Sequence, residues 1–116
     1  MNKRMIGSIY EDAAAAYLQS NGFVILERNY RNKIGEIDIV AKKNDKISFV
    51  EVKFRQNQSF GDAVEAVNDK KLRKIYKIAQ WYLLEHPELQ NFEVQIDALA
   101  ITGNQIQHYE NCYGGM

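Results

Sequence analysis

Two runs of alternating apolar and polar residues, GEIDIVA (35–41) and ISFVEVKFR (47–55), flank the polar stretch KKNDK. Alternation with period two marks a strand with one face turned to a core, and two such runs joined by a short turn make an antiparallel hairpin. An isolated hairpin is marginal in water, so the rest of the chain has to cover it. With 116 residues there is enough chain for one core and not for two, which gives a single domain over 1–116.

The remaining segments supply the cover. SIYE reads as a capping box, with Ser8 and Glu11 exchanging hydrogen bonds with backbone N–H groups, and opens a first helix over about 8–20 that Gly22 ends. FVILERNY is β-branched and aromatic and reads as a first strand. The polar loop QNQSFGD leads into a second helix, starting near Asp62 or Asn68 and running to Glu85, where His86 and Pro87 stop it. FEVQIDALAI and QIQHYE read as two further strands. The order αβββαββ predicts an α/β fold, a mixed β-sheet of about five strands flanked by helices. The helical crossover predicts that the fourth strand runs parallel to the third.

The hairpin carries charge where a covered strand should be apolar. A turn centred on Asn44 and Asp45 sets Asp38 opposite Glu51 and Glu36 opposite Lys53, all on one face. Directly opposed carboxylates cost roughly 0.2–1 kcal/mol across a strand pair, and burial adds to that because both resist ionising in one low-dielectric site. A hard divalent cation reverses the sign, making Asp38 and Glu51 oxygen ligands of Mg²⁺ or Mn²⁺. Lys53 points the same way and can neutralise charge or orient a water. Glu11 shares a helix face with Ala14, Ala15 and Leu18, the face expected to dock on the sheet, and offers a third carboxylate. A plainer account fits the same residues: a half-solvated sheet with a Glu36–Lys53 ion pair, and Glu11 occupied in its capping box.

Charge elsewhere bears on partners. In the second helix Leu72, Ile75, Tyr76, Ala79, Tyr82 and Leu83 form an apolar stripe, with Lys70, Arg73, Lys74 and Lys77 on the opposite side beside Trp81. A basic face with an aromatic suits phosphate contact, although a solvated face has the same composition. Arg28, Arg31, Lys33 and Arg55 lie nearer the hairpin and are candidates to grip a nucleic-acid backbone. His86 and His108 show no ligand spacing and read as structural or surface residues. Lys plus Arg equals Asp plus Glu, 15 each, and the pI near 6.7 argues against a simple charge-driven coat on nucleic acid. Cys112 is the single cysteine, so no internal disulfide forms and a reducing compartment is expected. Acidic residues follow the basic start too early for a secretory signal, and no run of about 18 apolar residues marks a membrane span. The expected location is cytoplasmic.

Asp38 in one strand and Glu51-x-Lys53 in the next resemble the PD-(D/E)xK nuclease superfamily. AAAAYL, NGF, RNYR, GEIDIVA, FVEVKFR and FGDAVEAV, followed by a Lys-rich helix, resemble the bacterial YraN family of predicted endonucleases along nearly the whole chain. The resemblance implies a restriction-endonuclease-like fold close to that of Holliday-junction resolvases, with Mg²⁺ or Mn²⁺ on Asp38 and Glu51 and Lys53 as the catalytic lysine. It matches Glu11 to the first-helix glutamate of the resolvase-like branch and Glu36 to a supporting position. It implies a nucleic-acid partner, DNA first and branched DNA among its forms, cut by a homodimer with two sites. Two departures stand out: Ile37 replaces the superfamily's proline, and Gln95-Ile96-Asp97 replaces an Arg-Phe-Asp that would supply a phosphate-binding arginine. Two other function classes remain: a catalytically inactive nucleic-acid-binding module of the same fold, and a protein-interaction domain.

Overall fold

The protein, seen in a computed structural model, is described over residues 3–55 and 69–112. Helix α1 spans Lys3–Ser20 and is followed by strands β1 (Val24–Arg31), β2 (Glu36–Lys43) and β3 (Lys46–Arg55), then helix α2 (Asp69–Glu85). A short 3-10 turn, Pro87–Leu89, leads to β4 (Glu93–Thr102) and β5 (Gln105–Tyr109). The five strands lie in the order β1-β2-β3-β4-β5. Every pairing is antiparallel except β3–β4, which is parallel as the helical crossover requires. This is the mixed α/β sheet expected from the order of elements.

Helix α1 begins five residues earlier than the capping box places it. Ser8 sits inside the helix and is exposed, so it is not the N-cap. Lys, Arg and Met are good helix formers, and the four-residue pattern cannot stop a helix that the residues before it prolong. The other end is as expected. Gly22, at φ +90, closes a Schellman motif in which the N–H of Phe23 bonds to the carbonyl of Leu18 and that of Gly22 to the carbonyl of Gln19. Gly22→Ala forces a Cβ into this left-handed conformation and should cost about 1 kcal/mol. Thermal melting should show that as a fall of about 4 °C.

Each face of the sheet is covered by one helix. On the α1 side Ala14, Ala15, Leu18 and Phe23 pack on Ile39, Ala41, Val50, Leu99 and Ile101. On the other side Ile78, Ala79 and Tyr82 of α2, with Leu89, pack on Tyr30, Ile37, Val40, Ile47 and Phe49. The α2 stripe is thus rotated from the sequence reading: Ile78 is buried, whereas Tyr76 is exposed. The start expected for this helix near Asp62 or Asn68, and the loop QNQSFGD, lie outside the described residues.

A candidate metal-and-lysine site where the hairpin opens

The hairpin register follows the turn. Asn44 takes the left-handed conformation, φ +56, and pairs run from Lys43↔Lys46 to Ile39↔Val50. There the ladder stops, one pair short of Asp38 and Glu51. From that point β2 continues beside β1 as far as Arg31↔Glu36, while β3 continues beside β4 as far as Arg55↔Thr102. The sheet therefore has a wedge between β2 and β3, and Asp38 fills it. Its Oδ2 accepts the Val52 N–H at 2.8 Å, a donor that a continuous ladder would have given to a backbone carbonyl.

The wedge coincides with a change of face. Arg28 and Tyr30 should lie on one side of β1, yet Arg28 reaches Asp12 of α1 at 2.6 Å and Tyr30 donates to Glu85 of α2 at 2.6 Å. Asn29 between them has φ +56, a conformation asparagine tolerates better than most residues. The partner strand changes with it: Ile39 packs toward α1, whereas Ile37 packs toward α2. Simple alternation had placed these two isoleucines together, and the turn in the strand at Asn29 and Asp38 separates them.

Glu51 and Lys53 continue the Ile47–Phe49 face of β3 toward α2. Glu51 is 7% exposed, and its carboxylate lies 3.9 Å from the Lys53 ammonium. Burial pushes the Glu51 carboxyl up to about 7, with the Asp38 charge adding to the rise and Lys53 and Lys71 opposing it. Burial likewise pushes Asp38 up to about 6; the Val52 N–H and Lys53 pull against this, and Glu11 and Glu36 add to it. Lys53 falls to about 8 through burial and its contact with the Lys71 ammonium, against the pull of Glu51 and Asp38. Burial and mutual charge thus draw all three ionisable groups in toward neutrality.

The other sequence candidates divide. Glu11 is half-buried and near enough for its charge to raise Asp38, but Glu11, Asp38 and Glu51 are not a set of three ligand atoms within 4.8 Å. Glu36 pairs with Arg31 at 2.8 Å and not with Lys53, because the wedge takes it out of register with β3. Glu36 still lines a cavity of about 330 Å³ with Glu51, Lys70, Lys71, Lys74, Ile75 and Ile78. Lys74 lies across Gly35, where an added Cβ would meet its Cε at 2.8 Å. Lys33 lines a neighbouring cleft with Tyr30, Asn32, Ile34, Trp81 and Glu85. Arg28, tied to Asp12, belongs to the α1 side. The Arg55 side chain lies outside the described residues.

Two features escaped the sequence reading. Lys71 reaches the site although the basic stripe omitted it; its spacing of four and seven residues from Ile75 and Ile78 was the available signal. On the α1 side of β4, fully buried Asp97 accepts from His108 Nε2 at 2.8 Å, from the Asn111 N–H at 2.8 Å and from Gln95 Nε2 at 3.4 Å. Asp97, His108 and Glu110 are the group of three whose ligand atoms fall within 4.8 Å among the described residues. The carboxylate is satisfied by protein donors there, which makes His108 structural. His86 is structural too, stacked on Tyr82 with Nδ1 2.8 Å from its carbonyl. The Cys112 thiol lies 3.9 Å from the Ile96 carbonyl, and no helix among the described residues is long and apolar enough to cross a membrane.

Oxygen-only donors suit Mg²⁺ or Mn²⁺. Asp38 and Glu51 fit such an ion: Glu51 is buried and Asp38 half-buried, the Asp38 charge raises the Glu51 pKa, and Asp38 takes the Val52 N–H on Oδ2.

Comparison with known proteins gives a consistent answer. The model of "Uncharacterised protein family UPF0102" matches residues 10–101. A UPF0102 protein of Fusobacterium nucleatum subsp. nucleatum is 41% identical over 115 residues, covering 99% of this chain and 96% of its own. One from Sulfurihydrogenibium sp. is 43% identical over 113 residues, covering 97% of both chains. A third, from Clostridioides difficile, is 43% identical over 115 residues, covering 97% of this chain and all of its own.

Proposed function

The chain belongs to the UPF0102 family, the YraN family its sequence resembles, and from that premise we propose that it is a metal-dependent endonuclease hydrolysing phosphodiester bonds of DNA. The observation that carries the reading is the wedge between β2 and β3, where Asp38, Glu51 and Lys53 come together and burial raises both acids. A chain under selection for stability alone has no use for a buried carboxylate beside a second one whose charge opposes its ionisation.

Asp38 and Glu51 are the residues that would hold Mg²⁺ or Mn²⁺, with the Glu11 charge bearing on Asp38 from α1. Such an ion, when bound, polarises the phosphoryl group and acidifies a bound water. Lys53, half-buried with its ammonium beside Glu51, orients the attacking water and offsets negative charge growing on the phosphoryl oxygens. The water oxygen bonds to phosphorus, the bond from phosphorus to one ester oxygen breaks, and the water's proton is balanced by the one the leaving oxygen takes up. The products are a phosphomonoester and a hydroxyl. Lys70 and Lys74 at the cavity, Lys33 at the cleft and Arg31, paired with the cavity residue Glu36, grip the backbone. Cutting both strands of a duplex or junction fits a homodimer with two sites, and the setting is cytoplasmic.

The test titrates Mg²⁺ and Mn²⁺ against branched, duplex and single-stranded DNA and RNA. Cleavage should need the ion, stop with chelator and be greatest on DNA. Binding of these substrates without cleavage of any would instead favour an inactive nucleic-acid-binding module.

A further inference from the structure

Helix α2 presents Lys70, Arg73, Lys74 and Lys77 to solvent, whereas Lys71 is half-buried. Its position one turn before Ile75 and two before Ile78 turns it toward β3. There it lines the cavity beside Glu51, whose carboxyl its charge pulls down, and its ammonium comes near that of Lys53. Two ammoniums held together are repulsive, as the two acids below them are. An open cavity of about 330 Å³ is lined by Glu36 and Glu51 from the sheet and by Lys70, Lys71 and Lys74 from α2. At about 30 Å³ per water that space holds roughly ten waters, which is room for a phosphodiester link. An anion entering it relieves the repulsion between the lysines.

We propose that Lys71 is a catalytic residue that binds one non-bridging oxygen of the phosphodiester to be cut, approaching from α2 opposite the Asp38–Glu51 pair. This rests on the nuclease reading above and assigns the substrate contact within it. Lys71 moves no proton in this role. Its work is electrostatic: the phosphoryl oxygens gain charge as water adds, and a cation held at the cavity wall by α2 stabilises that gain. Lys53 then serves the water, and Lys71 serves the phosphate.

Single-turnover cleavage at saturating DNA, using the substrate that the wild type cuts fastest, reads this role. Lys71→Gln should lower the saturated rate about 100-fold, the scale of one lost transition-state donor, and Lys71→Arg should recover at least tenfold of it. Lys46→Gln, far along the hairpin, should leave the rate unchanged. A Lys71→Gln rate within threefold of wild type overturns the proposal, as does arginine performing no better than glutamine. A second measurement does not depend on cleavage. Inorganic phosphate, titrated without divalent ions and followed through lysine ¹³Cε signals, should bind Lys71→Gln at least fivefold more weakly than wild type. Equal binding, or none to either, overturns the assignment of Lys71. If the wild type cuts nothing the nuclease reading fails by itself, and the phosphate titration alone then decides for or against Lys71.

Discussion

Replacing Lys53 by alanine should slow single-turnover cleavage about 10³-fold at saturating substrate and Mg²⁺, equivalent to roughly 4 kcal/mol of transition-state stabilisation. The size follows from position. Lys53 is half-buried, its ammonium is 3.9 Å from Glu51, and no other described lysine occupies the β3 face beside Asp38. Lys53→Arg should restore less than a tenth of the rate, because a planar fork cannot take the place of a point charge in that slot. Far-ultraviolet circular dichroism of both variants should match the wild type, since Lys53 lies at the edge of the core. Cleavage unchanged in Lys53→Ala would identify a contaminating nuclease or a mechanism without this lysine.

The second large effect falls on the fold. Without divalent ions, Glu51→Gln should stabilise the protein at pH 8 by on the order of 2 kcal/mol, a rise in melting temperature of roughly 5–10 °C. Burial holds Glu51 near 7 and Asp38 near 6, both above the values of an unfolded chain. Between about pH 4 and 7 the folded state therefore binds more protons than the unfolded state, and stability falls as pH rises through that window. Above it the wild type carries the full penalty of the ionised pair. Below about pH 4 both states are protonated, so Glu51→Gln and wild type should melt together. Lys53, lowered to about 8, reverses the slope between roughly pH 8 and 10, so the comparison belongs at or below pH 8. Saturating Mg²⁺ should raise the wild-type melting temperature and leave Glu51→Gln nearly unmoved. A wild type more stable than Glu51→Gln at pH 8 without metal would mean that the carboxylate is held by protein donors, as Asp97 is, and is not poised for a cation.

Much of this site was legible in the sequence because it depends on local rules. The Asn44–Asp45 turn fixed the register, and alternation put Glu51 and Lys53 on one face. What was not legible depends on backbone choices the residues permit without requiring. Asn29 can take a left-handed φ but does not have to, and that choice moves Ile37 across the sheet, opens the wedge and sends Glu36 to Arg31. Serine and glutamate at capping-box spacing likewise permit a helix start that Lys3–Gly7 override. Lys71 was legible in principle, through its spacing from Ile75 and Ile78, but a charged residue on an apolar stripe is read as surface until a facing group explains it. The Asp97–His108 contact depends on the β4–β5 register, which the sequence only outlines.

The parallel pairing of β3 with β4 also orders events in time. The β2–β3 hairpin closes over a two-residue turn, whereas β4 joins it only after the whole α2 crossover has been spanned, and such distant contacts form late. Asp38, Glu51 and Lys53 all belong to the early piece and meet while still in water. Their desolvation comes with the last docking of α2 and β4, after most of the barrier has been climbed. Relieving the acid pair should then leave the folding rate almost untouched and act on the escape rate, lengthening the lifetime of the native state.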